Sequence, residues 1–358
     1  VTGGGAPLAL VTGAPGWLGT RLVDVLLHGM PEVPGLESAS DRPIRCLVRA
    51  DAGAPNDGAS PFAQWPRVET CSGDLRDAAS IESFCAGAGG ATLFHVAGVI
   101  HPTGGMREFT EVNVEGTRRL VEAAKRAGVR RFVHVSSNSP LGTNPSPTDT
   151  FDEQSPYRPY MGYGKSKRAA EEIVRAAGES GGFEAVIIRP PWFYGPGQPA
   201  RQDLFFSMVR RGKAPLVGSG DNRRSMAYVD NICQGLLLCE RVDGAKGNTY
   251  WIADRRPYPM TEIIDTIERV LERDFGMTVA HARMRLPGFA SEIALAADAT
   301  LQAVGLYHQK IHVLSEMNKT IACSIAKAER ELGYDPKIEL EEGMRRSVAS
   351  VLERGGTI

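Results

Sequence analysis

The chain of 358 residues has almost no net charge: 41 lysines and arginines face 42 aspartates and glutamates, a formal balance of −1. With neither sign in excess, nucleic acid and anionic membrane surfaces are not expected as partners. Long apolar runs are missing too. None reaches the roughly 18 residues needed to cross a bilayer, so no membrane span is expected. The start of the sequence lacks the basic-then-apolar plan of a secretory leader, and residues 1–6 read as a flexible lead-in. Cysteines are few and scattered: Cys46, Cys71, Cys85, Cys233, Cys239 and Cys323 form no Cys-x-x-Cys pair and have no histidine at metal-ligand spacing. Disulfides and zinc are therefore not expected, and a reducing cytoplasm is the expected compartment. Internal repeats and low-complexity blocks are also absent.

What remains is an ordinary globular balance, 42% hydrophobic and 23% charged, enough for one large domain or a domain with an appended lobe. Residues 6–12 form a short apolar run of the kind buried on both faces of a parallel sheet. Leu18, Leu22, Val25 and Leu26 then recur at helical spacing, and Gly29 with Pro31 ends that helix. Further strands are predicted at 44–48, 68–70, 91–96, 131–135 and 184–188, with helices at 77–85, 109–127 and 161–177. Strand and helix alternating for nearly 190 residues predict an α/β fold, a doubly wound parallel sheet of the Rossmann type. After Pro190 the rhythm breaks. Residues 190–197 read as a rigid proline-rich loop. Helices are expected near 204–211, 231–240, 260–273 and 326–332, with short strands near 227–229 and 249–252. The predicted division is a dinucleotide-binding domain at 1–189 and a smaller, discontinuous C-terminal substrate lobe at 190–358. Segments near 223–254 are free to return to the sheet.

Between the first strand and first helix, Thr12-Gly-Ala-Pro-Gly-Trp-Leu-Gly19 places glycines at 13, 16 and 19. Such a turn lets a pyrophosphate approach backbone amides at the positive end of a helix. Gly73-Asp74-Leu75 follows the third strand, where the Asp74 carboxylate suits the adenine amine. The second strand ends in Leu47-Val-Arg49 with no acid at its tip, which favours NADP(H) over NAD(H).

Tyr163 and Lys167 lie four residues apart at the start of a predicted helix, so both side chains share one face. A phenol titrates near ~10, and a nearby ammonium favours its ionised form. Taken alone, that pair is weak evidence. Ser136 and Ser137 end the fifth strand, on the side where open α/β sheets place ligands. Asn113 opens Asn113-Val-Glu-Gly-Thr117 on the preceding helix.

These motifs, with His95-Val-Ala-Gly98 and Arg189-Pro-x-x-x-Tyr-Gly-Pro-Gly197, resemble the extended short-chain dehydrogenase/reductase superfamily over nearly the whole chain. The resemblance implies that Tyr163 is the general acid/base and that Lys167 lowers its pKa and binds the nicotinamide ribose. Ser137 would hydrogen-bond the reacting oxygen, with Asn113 in a supporting catalytic position. Cofactor contacts would come from Gly13, Pro15, Gly16, Trp17, Leu18, Gly19, Arg49, Asp74, Leu75, His95, Ala97, Gly98, Ser136 and Pro190, besides Tyr163 and Lys167. Asn138 and Ser139 stand where 4,6-dehydratases carry an Asp-Glu pair, which disfavours dehydration.

Trp192 replaces the amide with which many sugar-nucleotide enzymes hold the substrate pyrophosphate, whereas Arg224 matches an arginine that clamps it in some epimerases. The closer likeness is to the 3β-hydroxysteroid dehydrogenase-like branch. It implies an NAD(P)-dependent oxidoreductase acting on a hydroxy/keto carbon of a hydrophobic small molecule, with Ser137, Trp192 and Arg224 contacting substrate. The alternative is a sugar-nucleotide 4-epimerase with tightly bound NAD. The apolar side of residues 286–296 either roofs the substrate or packs the lobe. Family likeness also implies a homodimer built on the Asn113 and Tyr163 helices, although Leu120, Val121, Ile173 and Val174 would equally suit packing against the sheet.

Overall fold

Alternate residues of the first apolar run face opposite sides of the sheet, and both sides are covered. In the computed structural model, which describes residues 7–50, 62, 64, 65 and 67–358, that run is β1 (Ala9–Thr12). The lead-in at 1–6 lies outside the described residues. The alternation predicted from sequence continues as α1 (Trp17–His28), β2 (Ile44–Val48), β3 (Val68–Ser72), α2 (Ala78–Cys85) and β4 (Thr92–His95). A π-helical segment, Phe109–Gly116, runs into α3 (Thr117–Arg126), followed by β5 (Arg131–Val135), α4 (Met161–Glu179) and β6 (Glu184–Arg189).

The second half holds β7 (Trp192–Tyr194), α5 (Ala200–Arg210), β8 (Pro215–Val217), β9 (Arg223–Arg224), β10 (Met226–Tyr228), α6 (Val229–Arg241) and β11 (Thr249–Trp251). After these come β12 (Tyr258–Pro259), α7 (Met260–Arg273), β13 (Met284–Leu286), α8 (Phe289–Ala303), α9 (Gln309–Glu316), α10 (Ala326–Leu332) and α11 (Leu340–Glu353). The 190–197 stretch is therefore not only a loop. Its aromatic centre, β7, pairs in parallel with β10.

The main sheet has the order β11-β6-β5-β4-β1-β2-β3, and every neighbouring pair is parallel. This is the doubly wound Rossmann arrangement. β11 pairs with β6, so the seventh strand comes from beyond residue 190. Ala9 and Val11 pack with Leu22 and Leu26 of α1 and with Ile232 and Leu236 of α6. Leu10 faces the other way, into a cluster with Ile81, Phe84, Leu120 and Val174. Leu120, Val121 and Val174, candidates for either a dimer face or the sheet, are buried within the single chain. Arg131 sews α6 down: its Nη1 donates to the carbonyls of Cys239, Glu240 and Val242 at that helix's C-terminus. A cation suits the negative end of a helix. All six cysteines are free, and among the described residues no helix is long and apolar enough to cross a membrane.

Strand order reverses between β1 and β4, and a polar clasp crosses that point. His95 is buried, with Nδ1 2.8 Å from Thr12 Oγ1 and Nε2 2.8 Å from Thr117 Oγ1. Its ring links β1, β4 and α3, and both nitrogens are engaged. The imidazole therefore ties three elements of the fold together at the point where a cofactor contact was expected of His95. Burial, aided by the charge of Lys167, pushes its pKa down to about 3. An unfolded chain takes up that proton near pH 6.5, whereas the native state resists it. Stability from this group is thus present above pH ~6.5 and lost as pH falls toward 3. The expected outcome is that His95→Gln removes on the order of 3 kcal/mol of acid sensitivity between pH 6.5 and 4. Urea unfolding at a series of pH values measures it, and an unchanged pH slope in the variant would contradict the assignment.

Candidate active site

The turn after β1 owes its shape to close backbone approach. Gly13 holds φ at 91°, and a β-carbon there would sit 2.7 Å from the backbone nitrogen of Ala97. The tips of β1 and β4 can touch only because that side chain is missing. A β-carbon on Gly19 would lie 2.5 Å from the Gly13 carbonyl oxygen, so α1 starts hard against the turn. No side chain caps the first turn of α1, and no acid lies in it. Its N–H groups and the positive helix end therefore suit a pyrophosphate, and the predicted residues Gly13, Pro15, Gly16, Trp17, Leu18 and Gly19 converge here. Trp17 leans toward the second half: its Nε1 donates to the Pro196 carbonyl at 2.7 Å, and its ring lies 5.0 Å from that of Phe193.

At the ends of β2 and β3, Asp74 accepts from the Arg76 backbone N–H (2.8 Å) and from Arg76 Nη2 (2.7 Å), with Arg49 Nε at 3.6 Å. Arg76 chiefly holds the Asp74 carboxyl below its usual range. Two guanidinium groups thus flank the residue expected to contact adenine. Arg76 was not singled out by sequence, although it stands only two residues from Asp74. Leu75 is buried, and a β-carbon on Gly116 would lie 2.9 Å from its Cβ.

Ala97 and Gly98 follow β4 along the crevice, with a β-carbon position on Gly98 3.9 Å from Lys167 Nζ. Asn113 is buried in the π-helical segment. Its Nδ2 donates to the Val99 carbonyl (2.9 Å) and Ser166 Oγ (3.0 Å), while its Oδ1 accepts the Val99 N–H (2.8 Å). Both ends of the amide are occupied, so Asn113 fastens the loop after β4 to α4. π-helical turns concentrate at functional sites, and this one supplies that fastening.

Tyr163 and Lys167 share the inner face of α4 as their spacing predicted, but the expected coupling is absent here. Burial pushes the Tyr163 phenol up to about 12, a hydrogen bond from Ser137 pulls it partly back, and Glu316 pushes it further up. Lys167 Nζ instead donates to the Val135 carbonyl at 2.8 Å and lies 3.4 Å from His134 Nε2. Burial lowers its ammonium to about 8. Desolvation, not the lysine charge, sets the phenol.

Ser137 Oγ also lies 3.3 Å from Asn138 Oδ1 and Ser139 Oγ. Its neighbour Ser136 faces elsewhere: its Oγ donates to Glu171 Oε1 at 2.5 Å, so a cofactor contact by that hydroxyl is not what this geometry offers. Glu171 has no exposed surface. It also accepts from Tyr157 OH (2.5 Å), Arg189 Nε (2.9 Å) and Arg189 Nη2 (2.6 Å). Sequence reading passed over Glu171, though it lies one turn beyond Lys167 on the same face.

On the lobe side, Pro190 is buried and Trp192 is half-buried, edge-on to Phe205 at 5.9 Å. Arg224, expected to clamp a diphosphate, is buried and donates through Nη2 to the Glu316 carbonyl at 2.5 Å. α8 and α9 cover the start of α4: Gln302 Oε1 accepts the Gly162 N–H at 2.9 Å. Rings continue the wall from Tyr163 through Phe109 (5.9 Å) to Tyr307 (6.3 Å). Two hollows of about 240 and 400 Å³ open at the β11 edge, lined by Arg175, Asn248 and Thr249, and hold none of the predicted site residues.

Residues 9–253 match the model of the NAD dependent epimerase/dehydratase family. The chain is 51% identical to the uncharacterized protein y4nL of Sinorhizobium fredii, covering 98% of this chain and 96% of that one. It is 30% identical to the 3-beta-hydroxysteroid dehydrogenase of Mycolicibacterium neoaurum, covering 94% and 88%. Among solved structures it is similar to DesIV, a dTDP-glucose 4,6-dehydratase from Streptomyces venezuelae with NAD bound. There the TM-score is 0.74 at 28% identity, covering 97% of this chain and 98% of that one. A glycine turn open to a pyrophosphate and a Ser/Tyr/Lys set beside it fit a nicotinamide dinucleotide. This chain belongs to the NAD dependent epimerase/dehydratase family, nicotinamide-dependent enzymes of the extended short-chain dehydrogenase/reductase type.

Proposed function

We propose that this enzyme is an alcohol dehydrogenase or ketone reductase that moves hydride between nicotinamide and a hydroxy/keto carbon of a hydrophobic small molecule, preferring NADP(H). One observation carries the reading: a protonated phenol, Tyr163, beside the Ser137 hydroxyl at the crevice end of β5 and α4. A nicotinamide dinucleotide held by the glycine turn after β1 and by Lys167 would supply or take the hydride. In reduction, Tyr163 donates its proton to the carbonyl oxygen, and in oxidation it takes the proton back. Ser137 gives that oxygen a second hydrogen bond and polarises it. Positioned acid catalysis of this kind contributes ~10²–10⁴-fold. Lys167 holds the ribose hydroxyls, and Asn113 is a positioning residue that keeps the loop after β4 in register with α4. Residues 1–189 with the returning 223–254 stretch form the cofactor half, and the remainder forms the substrate lobe.

Rings beside the site support a hydrophobic ligand: Trp192 packs edge-on to Phe205, Tyr307 edge-on to the buried Phe109, and Leu204, Phe289 and Ile293 are exposed apolar residues beyond β6. Arg224 gives one donor to a backbone carbonyl while its buried Nε has no hydrogen-bond partner among the described residues, so its contact with substrate does not decide between this reading and sugar-nucleotide epimerisation. Asn138 and Ser139 lack the carboxyl groups that dehydration needs. The 3-beta-hydroxysteroid dehydrogenase relative supports the same class.

Tyr163→Phe removes only the proton-bearing oxygen. Turnover of ketones with NADPH should drop by about 10²-fold or more while nucleotide affinity stays within about twofold; residual turnover near wild type would remove Tyr163 from the chemistry. The raised phenol also fixes a pH sign. Reduction uses the protonated form and stays flat from about pH 5 to 7, below the range in which Lys167 loses its proton. Alcohol oxidation needs the ionised form, so its kcat/KM rises about tenfold per pH unit over that range. Stopped-flow rates in both directions test this, and a flat oxidation profile contradicts it. Finally, Arg49→Glu should raise the KM for NADPH by about tenfold or more and leave that for NADH nearly unchanged. Equal effects on the two nucleotides would remove the NADP(H) preference.

A further inference from the structure

Asp298 is a carboxylate with no exposed surface, and two side chains of the α8–α9 pair hold it. Its Oδ2 lies 2.7 Å from His312 Nδ1, and its Oδ1 accepts Gln302 Nε2 at 3.0 Å. A carboxylate oxygen this close to a ring nitrogen sets a proton on Nδ1, between the two groups. That leaves Nε2 as the ring's remaining hydrogen-bonding atom, with its direction set from behind, an arrangement that buried carboxylates commonly impose on histidine.

The ring is tied to the catalytic helix. Gln302, which holds Asp298, also accepts the N–H of Gly162, the residue before Tyr163. His312 packs 5.7 Å from Tyr160 and 5.5 Å from Tyr307, within the aromatic wall that reaches Tyr163 through Phe109. The other polar tips of this wall are already paired. Tyr160 OH lies 2.6 Å from Ser315 Oγ, and Tyr307 OH lies 2.6 Å from His101 Nδ1. His312 Nε2 has no partner among the described residues and is not sealed off, since the side chain keeps 12% of its surface.

We infer that His312 is a specificity-determining residue: its Nε2 accepts a hydrogen bond from a second hydroxyl on the substrate, remote from the carbon that exchanges hydride. The inference rests on the hydride-transfer reading and sharpens it. The substrate is then an apolar ketone or alcohol that also carries a hydroxyl a few carbons away. An unpaired acceptor in a largely apolar wall discriminates against analogues without that donor, because binding them leaves Nε2 desolvated and unbonded.

The test uses ketone pairs with NADPH and NADH: 2-tetralone against 6-hydroxy-2-tetralone, cyclohexanone against 4-hydroxycyclohexanone, and 6-methoxy-2-tetralone as a probe that cannot donate. Wild type should prefer the hydroxylated member of at least one pair by about tenfold or more in kcat/KM, with the methoxy compound treated like the unsubstituted one. His312→Asn places an amide N–H where Nδ1 lies and so avoids stranding the buried carboxylate, while removing the group at the Nε2 position. It should cut that preference to below about twofold while the unsubstituted ketone stays within about threefold of wild type. His312→Phe, checked for folding by its melting temperature, should do the same. Equal use of hydroxy and methoxy compounds by wild type, or a preference that survives in both variants, overturns the role of His312. Failure of wild type to oxidise either nucleotide with any of these ketones instead removes the hydride-transfer reading beneath it.

Discussion

Everything at the reacting end is referenced to one buried carboxylate. Burial pushes the Glu171 carboxyl up, but Arg189, Ser136 and Tyr157 outweigh it and hold it below the usual range. Its partners come from the end of β5, the loop before α4 and the end of β6, so a single ion locks α4 against the strand ends. Lys167 is one turn and Tyr163 two turns along the same helix. Removing one partner of such a pair strands the other charge and costs about 3–5 kcal/mol. The site's geometry therefore depends on a residue that touches no reacting atom.

A second anchor holds the start of α4. Met161, the first residue of that helix, has φ of 51°, in the left-handed region that penalises a side chain by roughly 1–2 kcal/mol. The next N–H, that of Gly162, is taken by Gln302 from α8. The second half of the chain thus reaches across to the strained start of α4. One fixing holds the start of α4 and the other its middle, and Tyr163 sits between the two.

The first half was legible because its signals are local and periodic. Short apolar strands buried on both faces, glycine turns and helical spacing place β1 to β6 close to their observed limits, and the four-residue step puts Tyr163 and Lys167 on one face. What escaped depends on partners far apart in sequence. β7 hides among prolines because its pairing strand, β10, lies over thirty residues later. His95 reads as a motif residue, yet Thr12 and Thr117 occupy both its nitrogens. α9 carries no strong apolar stripe, so neither it nor the Asp298–His312 pair could be placed from sequence. Glu171 was within reach, since a carboxylate one turn beyond Lys167 on an inward face requires a partner.

The two perturbed groups at the centre share one cause. Burial raises the phenol of Tyr163 and lowers the ammonium of Lys167, in each case favouring the neutral form. A site built to make a permanent phenolate would place the lysine nitrogen against the phenol oxygen. This one directs it to the Val135 carbonyl and leaves Ser137 as the hydrogen-bond partner of the phenol. The resting arrangement is thus a neutral phenol hydrogen-bonded by Ser137, set by desolvation and not by the charge of Lys167.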